Sequence, residues 1–282
     1  MEVPPSGMEA IAPGPLLEGK RAVVTGGGGG IGRGISESFA AHGAHVVVAE
    51  QDEARAHETV TAITDAGGSA TACVVDVVVD AEVERLAEAA GDVDVLVNNV
   101  GHYLYPGDDF VASTPDQWAR LYDVNLRHVF TVTHALAPRM IARGRGGAVI
   151  NVSTVEAFRG KPQSAVYAAF KAGVTQFTKS LALEVGGHGI RVNAIAPDLT
   201  ETLQVPYDRW VPEEQRHLIP TWVPVGRFGT PADIAGVALF LASDLSAFVT
   251  GTTVHADGGS LAAGGWFRST HRDGWTNRPL AP

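Results

Sequence analysis

Tyr167 and Lys171 are the two residues of this sequence whose types and spacing best suit proton transfer. Four residues apart, they lie on one face of any helix that contains them. A phenol, with a reference pKa of about 10, exchanges protons poorly at neutral pH. A neighbouring ammonium favours the phenolate, so we expect Lys171 to lower the pKa of Tyr167 until it can serve a developing alkoxide. A solvated helix face is the alternative for the pair taken alone.

A glycine run, residues 25–32 (Thr-Gly-Gly-Gly-Gly-Gly-Ile-Gly), lies between an apolar run and an amphipathic stretch. Glycine permits positive φ and lets backbone N–H groups approach a phosphate, and the start of a helix adds favourable partial charge. In this context the run predicts a nucleotide site that includes Gly26, Gly30, Ile31 and Gly32. A structural turn is the alternative.

Glu50 ends the second apolar run, eighteen residues after Gly32. A carboxylate at that place can accept hydrogen bonds from both hydroxyls of an adenosine ribose, and it would repel a 2′-phosphate. The nearest cationic residues along the chain are Arg33 and Arg55, outside the glycine run and not directly after Glu50. The sequence therefore predicts NAD rather than NADP, although Glu50 could instead cap the following helix.

Short apolar runs alternate with amphipathic stretches along most of the chain, which predicts a parallel sheet with helices on both faces. The runs span residues 22–24, 45–48, 72–75, 93–97, 148–152 and 190–195. Apolar residues at helical spacing between them are Ile31, Ile35 and Phe39, then Val83, Leu86 and Ala90, then Phe170, Val174, Phe177 and Leu181. We therefore expect one α/β domain.

The 282-residue chain is acidic, with 21 Lys and Arg against 31 Asp and Glu and a formal charge of −10. Such a balance disfavours nucleic acid and anionic membranes as partners. Hydrophobic residues make up 45% of the chain, enough for a sizeable core.

The single cysteine, Cys73, excludes a disulfide framework and a cysteine-based zinc site, and fits a reducing compartment. None of the ten histidines has the spacing of a metal site, so we expect no metal. No apolar run reaches the roughly 18 residues that a membrane span needs. Residues 1–18 lack Lys and Arg and do not form a secretory signal, so we expect a cytoplasmic protein.

The motifs, taken in order over residues 19–263, resemble those of the short-chain dehydrogenase/reductase family. After the glycine run come Asp76, then Asn98-Asn99-Val100-Gly101, Asn125, Ser153-Thr154, Tyr167-Ala168-Ala169-Phe170-Lys171, residues 191–197, residues 249–251 and Asp257-Gly258-Gly259. The resemblance implies a single Rossmann-type, doubly wound fold with a seven-stranded parallel sheet and helices on both faces. It also implies a homotetramer.

The resemblance assigns roles to individual positions. It implies that Tyr167 is the catalytic acid/base, that Lys171 also bonds the nicotinamide ribose, that Asn125 supports a relay water and that Thr154 holds the substrate oxygen. The cofactor residues it implies are Gly26, Gly30, Ile31, Gly32, Glu50, Asp76, Val77, Asn99, Gly101, Tyr167, Lys171, Pro197 and Thr202.

Three positions depart from the family pattern. The family has a serine thirteen residues before the tyrosine, where this chain has Thr154, and Ser153 beside it is the alternative source of the hydroxyl. Asp198 follows Pro197 where glycine is usual, which puts a negative charge near the reaction centre or requires an αL aspartate. Glu156 stands where the family has small residues, and it either contacts a polar substrate or points to water.

Residues 199–228 correspond to the variable segment that covers the substrate in this family. Its aromatic residues, Tyr207, Trp210, Trp222 and Phe228, suggest a partly apolar substrate, or else they anchor a lid on the core. His102, Tyr103 and Tyr105 either line the substrate entrance or stay solvated. We expect residues 1–18 to form a flexible arm, and the aromatic tail, residues 264–282, to cross a subunit interface or pack on its own domain.

These observations predict an NAD-dependent oxidoreductase that interconverts a secondary alcohol and a ketone by hydride transfer. One alternative is a 3-oxoacyl-[acyl-carrier-protein] reductase that uses NADPH. Another is a protein that senses NAD without turnover. The retention of Asn125, Thr154, Tyr167 and Lys171 disfavours a sensor, which does not need all four.

Overall fold

Seven parallel strands form the central sheet of the protein. They are β1 (Arg21–Thr25), β2 (His45–Glu50), β3 (Ser69–Val74), β4 (Val95–Asn98), β5 (Gly147–Val152), β6 (Ile190–Pro197) and β7 (Thr253–Ala256). Their order across the sheet is β3-β2-β1-β4-β5-β6-β7. The computed structural model describes residues 14–105, 109–265, 267–268 and 274–276. The predicted doubly wound α/β fold is confirmed.

Helices connect the strands in the described part of the chain. The first six are α1 (Gly30–Ala41), α2 (Glu53–Asp65), α3 (Asp80–Ala90), α4 (Pro115–Tyr122), α5 (His128–Arg143) and α6 (Ala165–Val185). They are followed by α7 (Tyr207–Trp210), α8 (Ile219–Trp222), α9 (Pro231–Ala242) and α10 (Ser260–Ala263). None of the helices described is long and apolar enough to cross a membrane.

Alternating side chains of the strands pack into two apolar cores, one on each face of the sheet. Val24 of β1 packs with Ile35 and Phe39 of α1 on one face. The next residue back, Val23, packs with Leu86 of α3 and Leu136 of α5 on the other. A period of two along a strand produces this division, because successive side chains point to opposite faces.

The strand order reverses at β1, which pairs with β2 on one side and with β4 on the other. The helices that follow these strands leave in opposite directions and open a crevice at the carboxyl ends of the strands. Ligands of open α/β sheets bind in such a crevice. The glycine run, which follows β1, and residues 99–101, which follow β4, therefore lie on either side of it.

Two expectations about packing are wrong. Leu17, placed by the sequence in a flexible arm, is fully buried in the core, and its N–H donates to the His42 carbonyl (2.9 Å). In α6 the side toward the sheet carries Lys171, Thr175 and Thr178 besides apolar residues. The phenylalanines of the predicted apolar stripe, Phe170 and Phe177, are only half-buried.

The chain ends are described in part. Residues 1–13 of the predicted arm and Trp266 of the aromatic tail lie outside the described residues. Within the tail, β8 (Phe267–Arg268) and β9 (Trp275–Thr276) pair in antiparallel fashion. The interface role of the tail stays a prediction.

Candidate active site

The glycine run bends tightly at the end of β1, and Gly26 and Gly32 are among the positions whose geometry requires glycine. Gly26 has φ +62, in the left-handed region. A Cβ on Gly32 would lie 2.0 Å from the Gly26 carbonyl oxygen. Asn99 holds this bend, because its Nδ2 donates to the carbonyl oxygens of Thr25 (3.0 Å) and Gly26 (3.3 Å). The close backbone approach fits a phosphate-binding loop at a helix N-terminus.

Glu50 lies directly beside this loop. Its carboxylate accepts hydrogen bonds from the backbone N–H of Gly28 (3.3 Å) and of Asp52 (3.2 Å). The helix-capping role considered as an alternative falls instead to Asp52, which accepts from Arg55 N at the start of α2 (3.1 Å).

Arg55 is closer to the glycine run than its position in the sequence indicates. If Gly28 carried a Cβ, that atom would lie 3.1 Å from the Cβ of Arg55, and a Cβ on Gly29 would lie 3.8 Å from Arg55 Nη1. The other nearby cation, Arg33, is paired with Glu37 and Glu58. Helix α2 thus brings one guanidinium to the side of the loop where Glu50 lies.

A cleft with about 770 Å³ of empty volume, its open mouth included, extends from the loop along the carboxyl edge of the sheet. Glu50, Asp76, Val77 and Val100 line it together with Gly26. Its size and its mixed polar and apolar walls suit a nucleoside. Glu50, Asp76 and Val77, the residues predicted to bind the adenosine part of the cofactor, therefore line one cleft.

Thr202 lies next to the glycine run at Gly30, whereas Glu50 and Arg55 lie next to it at Gly28. A Cβ on Gly30 would lie 3.2 Å from Thr202 Cγ2. Two residues later, Gln204 Nε2 donates to the Gly101 carbonyl (2.9 Å), and the Gln204 carbonyl accepts from the Tyr103 hydroxyl (2.6 Å). Gln204, which sequence reasoning missed, thus ties the 199–228 segment to the loop after β4.

Tyr167, near the start of α6, shares a hydrogen bond with the Thr154 hydroxyl. The Thr154 hydroxyl also lies 3.4 Å from the Pro197 carbonyl and accepts from Glu156 N (3.3 Å). The pKa of Tyr167 is raised to about 12, mainly by burial and also by the charges of Glu156 and Tyr103, whereas the Thr154 hydrogen bond lowers it. Thr154 therefore favours the phenolate that a general base needs.

Ser153 and Lys171 are positioned by the backbone. The Ser153 hydroxyl donates to the Lys171 carbonyl (3.0 Å), and Lys171 Nζ donates to the Val152 carbonyl (3.0 Å). Burial lowers the pKa of Lys171 to about 8. Because the hydroxyl of Ser153 is committed to α6, Thr154 is the better placed of the two to meet a substrate. The predicted effect of Lys171 on Tyr167 stays a hypothesis.

Asn125 lies in a π-helical turn, Asp123–Arg127, between α4 and α5. Such turns are frequent at functional sites. Its Oδ1 accepts from His102 N (3.0 Å), and its Nδ2 donates to the His102 carbonyl (2.8 Å). A Cβ on Gly101 would lie 2.6 Å from Lys171 Nζ and 3.3 Å from Asn125 Oδ1. Glycine at 101 therefore lets these two side chains approach each other.

Asp198 and Glu156 are joined through one arginine. Arg159 Nη2 lies 3.0 Å from Glu156 Oε1 and 3.0 Å from Asp198 Oδ2, and Asp198 also accepts from the Ser260 hydroxyl. Among described residues, those other than glycine with positive φ are Leu104 and Gln163, so the αL aspartate considered at 198 does not occur. The negative charge expected near the reaction centre is paired.

An aromatic cleft opens beside Tyr167. Tyr103 and Tyr105 line it, as one reading of the sequence proposed, together with Phe110 and Trp118. The last two rings stack at 5.5 Å, 7° from parallel. Neither ring was predicted from the sequence. The Thr114 cap, with proline next to it, is the signal that could have placed Trp118 on a helix, because this cap starts α4.

Two of the aromatic residues of the 199–228 segment, Tyr207 and Phe228, pack on each other. Tyr207 and Phe228 form an edge-on pair at 4.9 Å, inside a small apolar cluster with Val211, Ile219 and Val223. This favours the reading that they anchor the segment. Trp222 is 38% exposed, and the side chain of Trp210 lies outside the description.

His102 supports the loop after β4, because its Nδ1 accepts from Leu104 N (2.8 Å). In the described part of the chain no group of three or more His, Cys, Asp and Glu residues is arranged to hold a metal ion.

Comparison with known proteins identifies the family. A family model described as enoyl-(acyl carrier protein) reductase matches residues 26–260. The 3beta-hydroxysteroid dehydrogenase 1 of Eggerthella lenta is 41% identical over 248 residues, which cover 86% of this chain and 94% of that protein. The chain belongs to the short-chain dehydrogenase/reductase family.

Solved structures of short-chain dehydrogenases/reductases share this fold. One, described as an NAD(P)-dependent gluconate 5-dehydrogenase from Beutenbergia cavernae and holding NADP, has a TM-score of 0.81 and 37% identity, over 88% of this chain and all of that one. A 7alpha-hydroxysteroid dehydrogenase with NADH and 7-oxo glycochenodeoxycholic acid has a TM-score of 0.80 and 34% identity, over 86% and 94%. Similar proteins thus hold either cofactor.

Proposed function

We propose that this protein is an NAD-dependent oxidoreductase that interconverts a secondary alcohol and a ketone, with Tyr167 as the acid/base. The observation that carries the proposal is the hydrogen-bonded pair of Thr154 and Tyr167, with the Lys171 ammonium on the same helix. Tyr167 itself lines the aromatic cleft, where a substrate carbon would meet a nicotinamide.

The hydroxyls of Thr154 and Tyr167 both act on the substrate oxygen, one by hydrogen bonding and the other by proton transfer. Without substrate the single O–H of Thr154 faces the Pro197 carbonyl (3.4 Å), and it would turn to donate to the substrate oxygen when the substrate binds. Tyr167 takes the alcohol proton in oxidation and returns it in reduction. The buried Lys171 ammonium favours the phenolate and, with Asn125 beside Gly101, forms the inner end of a path for that proton.

The residues around the cleft fit a dinucleotide. Gly26, Gly30, Ile31 and Gly32 would hold the diphosphate, and Glu50 the adenosine ribose. Asp76, Val77, Asn99, Gly101, Pro197 and Thr202 would line the remainder, with Tyr167 and Lys171 at the nicotinamide ribose. When bound, a nicotinamide cofactor accepts or supplies the hydride.

Glu50 supports the preference for NAD. Its carboxylate lies where a 2′-phosphate would otherwise sit, and burying that charge against a phosphate is unfavourable. Arg55, next to Gly28, works in the opposite direction because it could pair with a phosphate. We propose that the site prefers NAD to NADP, because Arg55 already pairs with Asp52 (3.0 Å).

The aromatic cleft supports a substrate with an apolar body. The rings of Tyr103, Phe110 and Trp118 line the same cleft as Tyr167. Two of the similar proteins act on or bind steroids, which are large apolar alcohols and ketones. We therefore propose a bulky, ring-containing alcohol as the substrate class. We further propose that the protein works in the cytoplasm as a homotetramer.

A 3-oxoacyl-[acyl-carrier-protein] reductase is the second candidate function. The description of the matching family model favours it, since that description names an acyl carrier protein. The formal charge of −10 disfavours it, because an acidic carrier protein would be repelled.

The test is turnover of secondary alcohols, hydroxysteroids among them, with NAD or NADP, followed by absorbance of the reduced nicotinamide. We expect turnover with NAD, and a loss of roughly 10²- to 10⁴-fold in Tyr167→Phe, because that variant cannot transfer the proton. Binding of NADH, followed by fluorescence, should persist in the variant. Light scattering of the same preparation should give the mass of a tetramer.

Three outcomes would contradict the proposal. Equal turnover in Tyr167→Phe would remove the acid/base role. Turnover with NADP alone would overturn the interpretation of Glu50 and favour the acyl-carrier reaction. No turnover with either cofactor despite NADH binding would favour a protein that senses NAD.

A further inference from the structure

Glu156, Arg159 and Asp198 form a charged cluster directly behind the Thr154–Tyr167 pair. The side chains of the two acids are largely buried, 12% exposed for Glu156 and 9% for Asp198, whereas Arg159 is 36% exposed. Two carboxylates and one guanidinium leave a net charge of −1 at this place. Such a charge in a partly buried setting acts over several ångströms, because solvent screens it poorly.

The cluster is coupled to the pair through Glu156. Glu156 follows Thr154 by two residues in the same turn, and its N–H donates to the Thr154 hydroxyl that bonds Tyr167. Its carboxylate lies near enough for its charge to disfavour the phenolate of Tyr167. Asp198, by contrast, bonds Arg159 and Ser260, and its charge is not among those that act on Tyr167.

We propose that Arg159 is a positioning residue that clamps the Glu156 carboxylate and thereby sets how readily Tyr167 gives up its proton. The inference rests on the proposed function in one respect, the acid/base role of Tyr167. Arg159 offsets part of the charge that Glu156 presents to the phenol. The negative charge of Glu156 in turn favours the protonated form of Tyr167.

Other charged or titratable groups also face this region, and they are unchanged by the variants proposed below. The charge of Tyr103 raises the pKa of Tyr167. The ring centre of Tyr103 lies 5.0 Å from that of His102 and 5.5 Å from Lys161 Nζ. Lys171 comes from the same helix as Tyr167, and His128 lies behind Lys171. Because these groups stay constant, differences between variants report on the cluster.

The sign of each effect follows from the charges. Removing the Arg159 cation leaves Glu156 unopposed, so the pKa of Tyr167 rises. Removing the Glu156 carboxylate lowers that pKa. Alcohol oxidation needs the phenolate, so kcat/KM rises with pH through the Tyr167 pKa. This ascending limb of the pH profile therefore moves in the same direction as the pKa.

The experiment compares Arg159→Gln, Glu156→Gln and the double variant with wild type. We measure the pH dependence of kcat/KM for alcohol oxidation. We also measure phenolate absorbance after rapid pH jumps, as the difference from Tyr167→Phe. We expect the Tyr167 titration to move up by about one pH unit in Arg159→Gln and down by about half a unit in Glu156→Gln. The double variant should match Glu156→Gln alone.

Two controls separate this electrostatic role from a structural one. Arg159→Lys keeps the cation and should restore a titration close to wild type. Asp198→Asn removes the same charge as Glu156→Gln from the same cluster, yet should move the titration far less. Thermal unfolding and NADH binding of each variant show whether the fold is intact.

Titrations that shift in the same direction for Arg159→Gln and Glu156→Gln would overturn the proposal, as would the absence of any shift in either. Shifts equal for Asp198→Asn and Glu156→Gln would also overturn it, because the effect would then belong to net charge alone. The phenolate absorbance needs no turnover, so it distinguishes failure of this proposal from failure of the proposed reaction.

Discussion

Thr154 and Ser153 are neighbours, but their hydroxyls bond to different parts of the site. Thr154 bonds Tyr167, whereas Ser153 bonds the Lys171 carbonyl inside α6. A threonine side chain carries a methyl group as well, which restricts its χ1 angle and leaves its hydroxyl fewer orientations. At this scale the chemistry depends on which of two adjacent hydroxyls points to the cleft.

This difference predicts opposite outcomes at the two positions. Thr154→Val should reduce kcat/KM by about 10²-fold, because the substrate oxygen loses a hydrogen-bond donor, whereas Thr154→Ser should retain most activity. Ser153→Ala should keep turnover and lose about 1 kcal/mol of unfolding free energy, since one buried hydrogen bond disappears. Steady-state kinetics and urea unfolding of the three variants measure both effects. A larger kinetic loss in Ser153→Ala than in Thr154→Val would reverse the assignment.

The glycine run shows, at the scale of an element, that glycines in one loop are not equivalent. Gly32 faces the Gly26 carbonyl, whereas Gly29 has φ −151 and open space for a Cβ. The first position therefore permits the bend between β1 and α1, and the second needs no glycine.

We expect Gly32→Ala to weaken NADH binding roughly 10- to 100-fold, because a Cβ at 2.0 Å from a carbonyl oxygen forces the loop open. Gly29→Ala is the matched control, with its nearest contact at 3.8 Å, and should bind NADH as wild type does. Fluorescence titration with NADH measures both, and thermal unfolding checks the fold. Similar affinities for the two variants would contradict this account of the loop.

Helix α6 illustrates how an element can bury polar residues. Thr178 accepts a hydrogen bond from Asn151 Nδ2 of β5 (2.9 Å), and Asn98 Nδ2 of β4 donates to Asn151 Oδ1 (2.8 Å). These hydrogen bonds give partners to buried polar groups, which would destabilise the folded protein if they were unpaired. The layer they form fixes α6, and with it Tyr167 and Lys171, against the sheet.

Buried ionisable groups connect the active site to the stability of the whole molecule. His128, at the start of α5, is completely buried. Burial, together with the nearby charge of Lys171, lowers its pKa from 6.5 to about 3. The folded protein therefore keeps this imidazole neutral at pH values where the unfolded chain would protonate it.

We expect the protein to lose stability as the pH falls below about 6.5, since the unfolded state then binds a proton that the folded state does not. At pH 5 the contribution of His128 to this loss is about 2 kcal/mol. His128→Gln should flatten the pH dependence of unfolding between pH 7 and about 5, whatever its effect at neutral pH. Exposed His57→Gln is the control. Chemical unfolding at several pH values tests this, and an unchanged slope in His128→Gln would exclude the explanation.

The sequence by itself determined the sheet, the order of the motifs and the family. Apolar runs and helical spacing depend on near neighbours along the chain, so they can be interpreted without a structure. The same local evidence located the glycine run, Glu50, Tyr167 and Lys171. For α6 it was misleading, because Phe170 and Phe177 continued an apolar stripe while Lys171 faced the sheet.

Only the tertiary structure decided which distant side chains meet. Arg55 reaches Gly28 because α2 packs beside the loop, and Phe110 and Trp118 reach Tyr167 because α4 lies against α6. Arg159, which bonds its near neighbour Glu156, also reaches Asp198, 39 positions further along the chain. Each of these contacts depends on how two elements pack, and packing is set by the whole core rather than by residues adjacent in the chain.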